Sequence, residues 1–157
     1  MTNVRKTAII LGGNIGDTAS FFDFAEQGFR QGGMTKIRRG RLFRTAPVGC
    51  VPGTPDFLNQ ALTGCWSGTP DELLKLCKAL ETAAGRPEKH SSAEARVLDC
   101  DIILLGDLVL DTPELTIPHP RALARRFVLE PLAELIPDAV IPGAGLTVAE
   151  ALARLAD

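Results

Sequence analysis

Val97 to Leu105 is an apolar, partly β-branched run broken only by Asp99, Cys100 and Asp101, and it constrains this part of the chain to a strand. Residues i and i+2 of a strand share a face, so the two carboxylates project together, about 7 Å apart at about 3.3 Å rise per residue. Like charges in so greasy a strand are costly unless a cation compensates them. Hard divalent cations such as magnesium suit the pair, since they accept one or two carboxylates and leave positions open to phosphate oxygens. Solvent-facing acids paired with surface Lys or Arg fit the same spacing. The run therefore defines a strand before it defines a site.

A chain of 157 residues with 45% hydrophobic content suits one domain, residues 1–157, with a real core. Its net charge of −2 supplies no broad basic field, which argues against nucleic acid as a partner and in favour of a small anionic ligand. Cys50, Cys65, Cys77 and Cys100 have neither CxxC nor Cys/His metal spacing and read as reduced thiols of a cytoplasmic protein. No signal-type stretch opens the chain and no apolar run reaches bilayer length, so no membrane partner is expected.

Thr7 to Leu11 reads as a strand, Gly12 to Asp17 as a tight turn with Asp17 near the N-cap, and Phe21, Phe24, Ala25 and Phe29 as the inner face of a helix ending near Gly32 and Gly33. Thr35 to Thr45 is compatible with a second strand. Ala46 to Pro55, rich in Pro and Gly, is a shaped surface loop. Phe57 to Trp66 reads as a third strand. Thr69, Pro70 and Glu72 then form the capping box of a helix whose buried face is Leu73, Leu76, Cys77, Leu80 and Ala84, stopped by Gly85. Arg86 to Arg96 has no period and reads as a mobile lid. Beyond the acidic strand lie a hairpin edge near Leu108 to Leu110, an extended Leu115 to Arg121 held by Pro118 and Pro120, an apolar stretch to Leu135, and a C-terminal helix opened by Thr147 and Glu150. The order strand, helix, strand, strand, helix, strand is the split plan of an α+β, ferredoxin-like βαββαβ sandwich. Such a fold has a mostly antiparallel sheet with helices packed on its faces, the two helices of the repeat covering one side.

Arg86 and Arg96 bracket the lid and flank the acids, where phosphate-clamping guanidiniums would stand. With His119, Arg121 and Arg125 they could form the positive shell of a phosphoryl-transfer site; each alone reads equally as a solvated or structural side chain. Phe57 and Asn59 share a strand face and offer one aromatic plane and one amide beside the Pro-rich loop. A core Phe beside a strand-end Asn is the plainer reading of that pair.

Taken together, Ile10 to Asp17, Arg44 to Gly49, Pro55 to Asn59, Leu80-Glu81 with Gly85-Arg86, Arg96 to Ile102, and Ile117 to Arg121 with Arg125 and Phe127 to Leu129 resemble the 6-hydroxymethyl-7,8-dihydropterin pyrophosphokinase family in order and spacing. The resemblance covers nearly the whole chain. It implies a magnesium-dependent enzyme that moves the diphosphate of ATP to the pterin hydroxymethyl group and releases AMP in folate biosynthesis, with ATP and 6-hydroxymethyl-7,8-dihydropterin as its partners, acting as a monomer. By the same resemblance, Asp99 and Asp101 bind two magnesium ions. Phe57 and Phe127 sandwich the pterin, while Asn59 with Thr45, Ala46, Pro47 and Val48 reads its edge. Glu81, Arg86, Arg96, Ile102, Thr116, His119 and Arg125 line the nucleotide site or clamp its phosphates, with Arg86 and Arg96 counted alongside the two aspartates as catalytic.

The lid departs from the family pattern. Glu88 replaces an arginine, and Ala93, Glu94 and Ala95 stand where Trp-Gly-Pro is usual, so closure over MgATP is expected to be weaker or differently arranged. Gly13 and Phe57 are milder departures from Ser and Tyr. Two competing readings are a metal-dependent nucleotidyltransferase or nuclease, which the missing basic stripe disfavours, and a non-catalytic pterin or nucleotide binder. The second is disfavoured by the paired acids, which a pure pterin binder does not need.

Overall fold

The computed structural model describes residues 4–46, 52–53, 55–85 and 97–155. Strand β1 (Arg5–Gly13) extends two residues beyond the expected core at each end, because Arg5, Lys6, Gly12 and Gly13 all keep partners on a neighbouring strand. Asp17 caps α1 (Thr18–Gln31), its carboxylate accepting the Ser20 N–H at 3.3 Å and the Ser20 hydroxyl at 2.7 Å, which satisfies a donor the first turn leaves open. The buried face of α1 is Thr18, Phe22, Ala25 and Phe29. Phe24, expected inward, is 39% exposed, because it lies about 200° around the axis from Phe22 at 3.6 residues per turn.

The expected strand from Thr35 to Thr45 is divided into β2 (Thr35–Arg39) and β3 (Phe43–Thr45), both antiparallel to β4 (Phe57–Trp66). At the break, the Gly40 carbonyl accepts from Gln60 Nε2 at 2.7 Å and the Arg41 N–H donates to the Glu134 carboxylate at 2.7 Å. Side chains there take backbone groups that an unbroken ladder would have used. Helix α2 (Pro70–Ala83) has the anticipated reciprocal capping box between Thr69 and Glu72. Strand β5 (Asp99–Leu105) carries the two acids. The hairpin of β6 (Leu110–Asp111) and β7 (Thr116–Ile117), a short 3-10 turn at Ala122–Ala124, and α3 (Arg126–Leu135) follow. A second small hairpin, β8 (Val140–Ile141) with β9 (Leu146–Thr147), leads into α4 (Val148–Ala153), capped reciprocally by Thr147 and Glu150.

The main sheet runs β2-β4-β1-β5 with β3 also on β4, and every pairing is antiparallel. Strand β4 separates β1 from β2, and β1 separates β4 from β5, so each strand–helix–strand unit is split as expected. Alternation along β1 sends Ile9 and Leu11 to one face, against Phe22 and Phe29 of α1 and Leu73 and Cys77 of α2. Ala8 and Ile10 face the other way, toward Val128, Leu129 and Leu132 of α3 and Val148 of α4. Helices therefore cover both faces, and burial of each large aliphatic side chain contributes about 1.5–3 kcal/mol to holding the layers together. No helix among the described residues is long and apolar enough to cross a membrane.

Candidate active site

Where β1 ends, its cross-strand partners set the floor of a cleft. Gly12 lies between Asn59 of β4 and Asp99 of β5, and Ile10 lies between Ala61 and Asp101. Directly opposed residues share a face, and Ile10, Gly12, Asn59, Asp99 and Asp101 all line one cleft of about 720 Å³, within the range of small-molecule sites. The i, i+2 spacing of the two acids thus places them on the α3 side of the sheet, while Cys100 between them points into the core against α2.

A bulge builds the opposite wall. The β1–β5 register shifts between Ala8 and Ile9, leaving Ile103 without a partner across the ladder, and the Ile103 carbonyl accepts the His119 N–H at 3.3 Å. Bulges re-aim neighbouring groups in this way. Here the bulge ties the Pro118-His119-Pro120 segment, whose Ile117–Pro118 bond is cis, to the strand that carries the acids. Among the described residues, His119 Nδ1 is the buried side-chain polar atom without a hydrogen-bond partner. Burial, then the charges of Arg125 and Arg121, push its pKa below the ordinary 6.5, so the imidazole is neutral at neutral pH.

Arg125 stands at the N-cap of α3 with its guanidinium 5.5 Å from the centroid of the Phe127 ring, within reach of a cation–π contact. Phe127 is 37% exposed and Phe57 half-buried, and both line the cleft. Asn59 is buried and donates through Nδ2 to the Thr45 hydroxyl at 3.2 Å. That bond holds its amide beside Thr45 and Ala46, which also line the cleft. Ten of the anticipated site residues therefore converge: Thr45, Ala46, Phe57, Asn59, Asp99, Asp101, His119, Arg121, Arg125 and Phe127.

Others lie elsewhere. Ile102 is packed in the core on the opposite face, and Thr116 is half-buried in β7. Glu81 is buried on α2, where its carboxyl group accepts the Cys100 N–H at 2.8 Å. Arg86, Arg96, Pro47 and Val48 lie outside the described residues, as does the anticipated lid. Cleft residues absent from the anticipated set include Gly12 and Ile103. The period of two that joins Asp99 to Asp101 leads next to Ile103, not to Ile102, and would have found it. Cys77 and Cys100 lie behind the acids, where burial first and nearby acidic groups next, Glu81 among them, push both thiols well up. Both are held as inert core thiols.

No group of three or more His, Cys, Asp and Glu among the described residues is arranged to hold a metal ion. Asp99 and Asp101 offer hard oxygen donors opening on the cleft. That set fits magnesium, which keeps waters and substrate phosphates in much of its shell, better than a closed structural metal site.

The fold and site together define an antiparallel α+β sandwich in which an aromatic–amide recess runs into paired carboxylates beside His119 and Arg125. Residues 8–137 match the family model described as 7,8-dihydro-6-hydroxymethylpterin-pyrophosphokinase (HPPK). The 2-amino-4-hydroxy-6-hydroxymethyldihydropteridine pyrophosphokinase of Methylorubrum extorquens is 38% identical over 146 residues, 92% of this chain and 90% of that protein. The mitochondrial folate synthesis bifunctional protein of Arabidopsis thaliana is 38% identical over 136 residues, which cover 87% of this chain but 24% of that protein. This chain therefore spans about a quarter of that bifunctional relative. The wild-type HPPK-DHPS of Plasmodium falciparum, crystallised with pteroate, shares the fold at a TM-score of 0.73 and 13% identity, covering 98% of this chain and 43% of that one. With a family match spanning most of its length, the chain belongs to the HPPK family.

Proposed function

We propose that this chain transfers the diphosphate of ATP to the hydroxymethyl group of 6-hydroxymethyl-7,8-dihydropterin, releasing AMP, as a step of folate biosynthesis. The observation that carries the reading is the meeting of two half-sites in one cleft, with Phe57, Asn59 and Phe127 on one side and Asp99, Asp101, His119 and Arg125 on the other. Phe57 and Phe127 stack on the pterin, and the Asn59 amide with the segment from Thr45 to Val48 reads its donor and acceptor edge. Arg125 and neutral His119 hold nucleotide phosphates, joined by Arg86 and Arg96. Glu81, Ile102 and Thr116 belong to the nucleotide side, Glu81 and Ile102 acting through the backbone of β5.

The pterin hydroxyl oxygen forms a bond to the β-phosphorus, the bond from that phosphorus to the oxygen it shares with the α-phosphorus breaks, and AMP departs with that oxygen. The hydroxyl proton is released to solvent in the same exchange, which balances the transfer. Positioning and charge stabilisation dominate such transfers. Two magnesium ions held by Asp99 and Asp101 would supply charge neutralisation on the phosphates. In this reading residues 1–157 work as a single domain, a cytoplasmic monomer without nucleic-acid or membrane partners. Incubating the protein with ATP, magnesium and the pterin and separating the nucleotides tests it. AMP formed only when pterin is present is expected; ADP as sole product, or turnover indifferent to pterin, would overturn the assignment.

A further inference from the structure

Strand β1 ends in two adjacent glycines that answer to different demands. At Gly13 a Cβ would sit 2.5 Å from the Val97 carbonyl oxygen and 3.2 Å from Thr18 Cγ2, so the close approach of two backbones excludes any side chain. At Gly12 the nearest atoms to a Cβ would be Asn59 Oδ1 at 3.4 Å and the Leu58 carbonyl oxygen at 3.8 Å, both ordinary van der Waals contacts. Gly12 is also absent from the glycines with positive φ. Neither packing nor backbone conformation asks for glycine there, although glycine inside a strand is a destabilising choice and often marks close approach of a ligand.

The space that Gly12 leaves open faces the cleft, in the middle of the row Asn59–Gly12–Asp99. Two strand spacings separate the ends of that row, about 9–10 Å, which a bicyclic ring with a one-carbon arm can bridge. We infer that Gly12 is a specificity-determining residue: its bare backbone lets the acceptor heterocycle cross from Asn59 to the carboxylates at van der Waals distance. A side chain there would lift the ring and withdraw its hydroxymethyl arm from the reacting phosphate. This rests on the pterin reading above and adds to it the residue that admits a ring of this length.

The test compares Gly12→Ala with the wild type by thermal melting and by calorimetric titration. The titrants are 6-hydroxymethyl-7,8-dihydropterin, the monocyclic fragment 2-amino-4-hydroxypyrimidine, and ATP with magnesium. The variant should melt close to the wild type and keep nucleotide and fragment affinity within about twofold, while pterin affinity falls at least tenfold. Gly13→Ala should show the opposite pattern, a lowered melting midpoint. Wild-type pterin affinity in Gly12→Ala would overturn the inference. So would failure of that variant to fold, because the strand is held to accept a Cβ at this position, and so would an equal loss of the fragment. A wild-type protein that ignores the pterin altogether would instead remove the reading on which the inference stands.

Discussion

The Glu81 carboxyl group accepts the Cys100 N–H at 2.8 Å, so a buried side chain of α2 grips the backbone of the single residue that separates Asp99 from Asp101. Strand β5 is the last of the main sheet, and this bond satisfies a donor of the strand from outside the ladder. Glu81→Gln keeps an acceptor and should melt close to the wild type. Glu81→Ala leaves a buried N–H unpaired and should lose about 1–3 kcal/mol, read by denaturant titration. Equal stability of the alanine variant and the wild type would show that the bond holds nothing.

Asp99→Ala and Asp101→Ala should each abolish transfer while changing folding stability by less than about 1 kcal/mol, since both side chains open on the cleft rather than into the core. Chelation of divalent cations should stop turnover in the wild type and leave its melting curve nearly unmoved. Near-native turnover of either variant with magnesium present would strike that residue from the metal role.

Phe57→Ala and Phe127→Ala should each weaken pterin binding by about 1–3 kcal/mol, on the scale of aromatic stacking against a base. Nucleotide affinity should change much less. Phe127 is 37% exposed, so its truncation opens no deep cavity and the effect can be assigned to the ligand. If both ligands weakened equally, a packing defect would be the better explanation.

His119 predicts a pH effect whose sign follows from its lowered pKa. As pH falls through the ordinary value of 6.5, the unfolded imidazole takes up a proton that the folded one still resists, so the native state loses stability. The loss is complete only once pH has passed below the folded pKa. Stability curves of the wild type and His119→Gln should therefore run parallel above that window and diverge below it, with the wild type falling faster. An anion bound beside the imidazole favours its protonated form, so nucleotide binding in the same window should draw in a proton. Titration in buffers of different ionisation enthalpy measures that uptake, and parallel stability curves throughout would contradict the half-buried, cation-flanked setting.

Much of this architecture was legible from local rules. Asp17, Thr69 with Glu72, and Thr147 with Glu150 marked three helix starts, because caps depend on neighbours a few residues away. The paired acids and the Phe57/Asn59 face followed from the period of a strand. What escaped depended on distant partners. The division of Thr35 to Thr45 is held by Gln60 and Glu134, and the exposure of Phe24 follows from which stripe of α1 the sheet accepted. The side chain of Ile102, expected on the nucleotide side by family resemblance, follows its strand period into the core, which leaves its backbone as the part that can face a ligand.

The sequence by itself determined most of the elements and the chemical character of each candidate residue, since periodicity, capping and turn chemistry act over a few neighbouring positions, but it left the helix α3 as an apolar stretch and the β8–β9 hairpin unread. Which of those residues meet was decided only by tertiary structure. Asn59, Gly12 and Asp99 are brought into one row by the antiparallel register of three strands. His119 is tied to the strand of the acids through a bulge that leaves Ile103 unpaired across the ladder, and Glu81 meets the backbone of β5 at Cys100, between the two acids. Register, bulge and helix docking are settled by the joint burial of two sheet faces against four helices, a cooperative condition on the whole chain that no short segment contains.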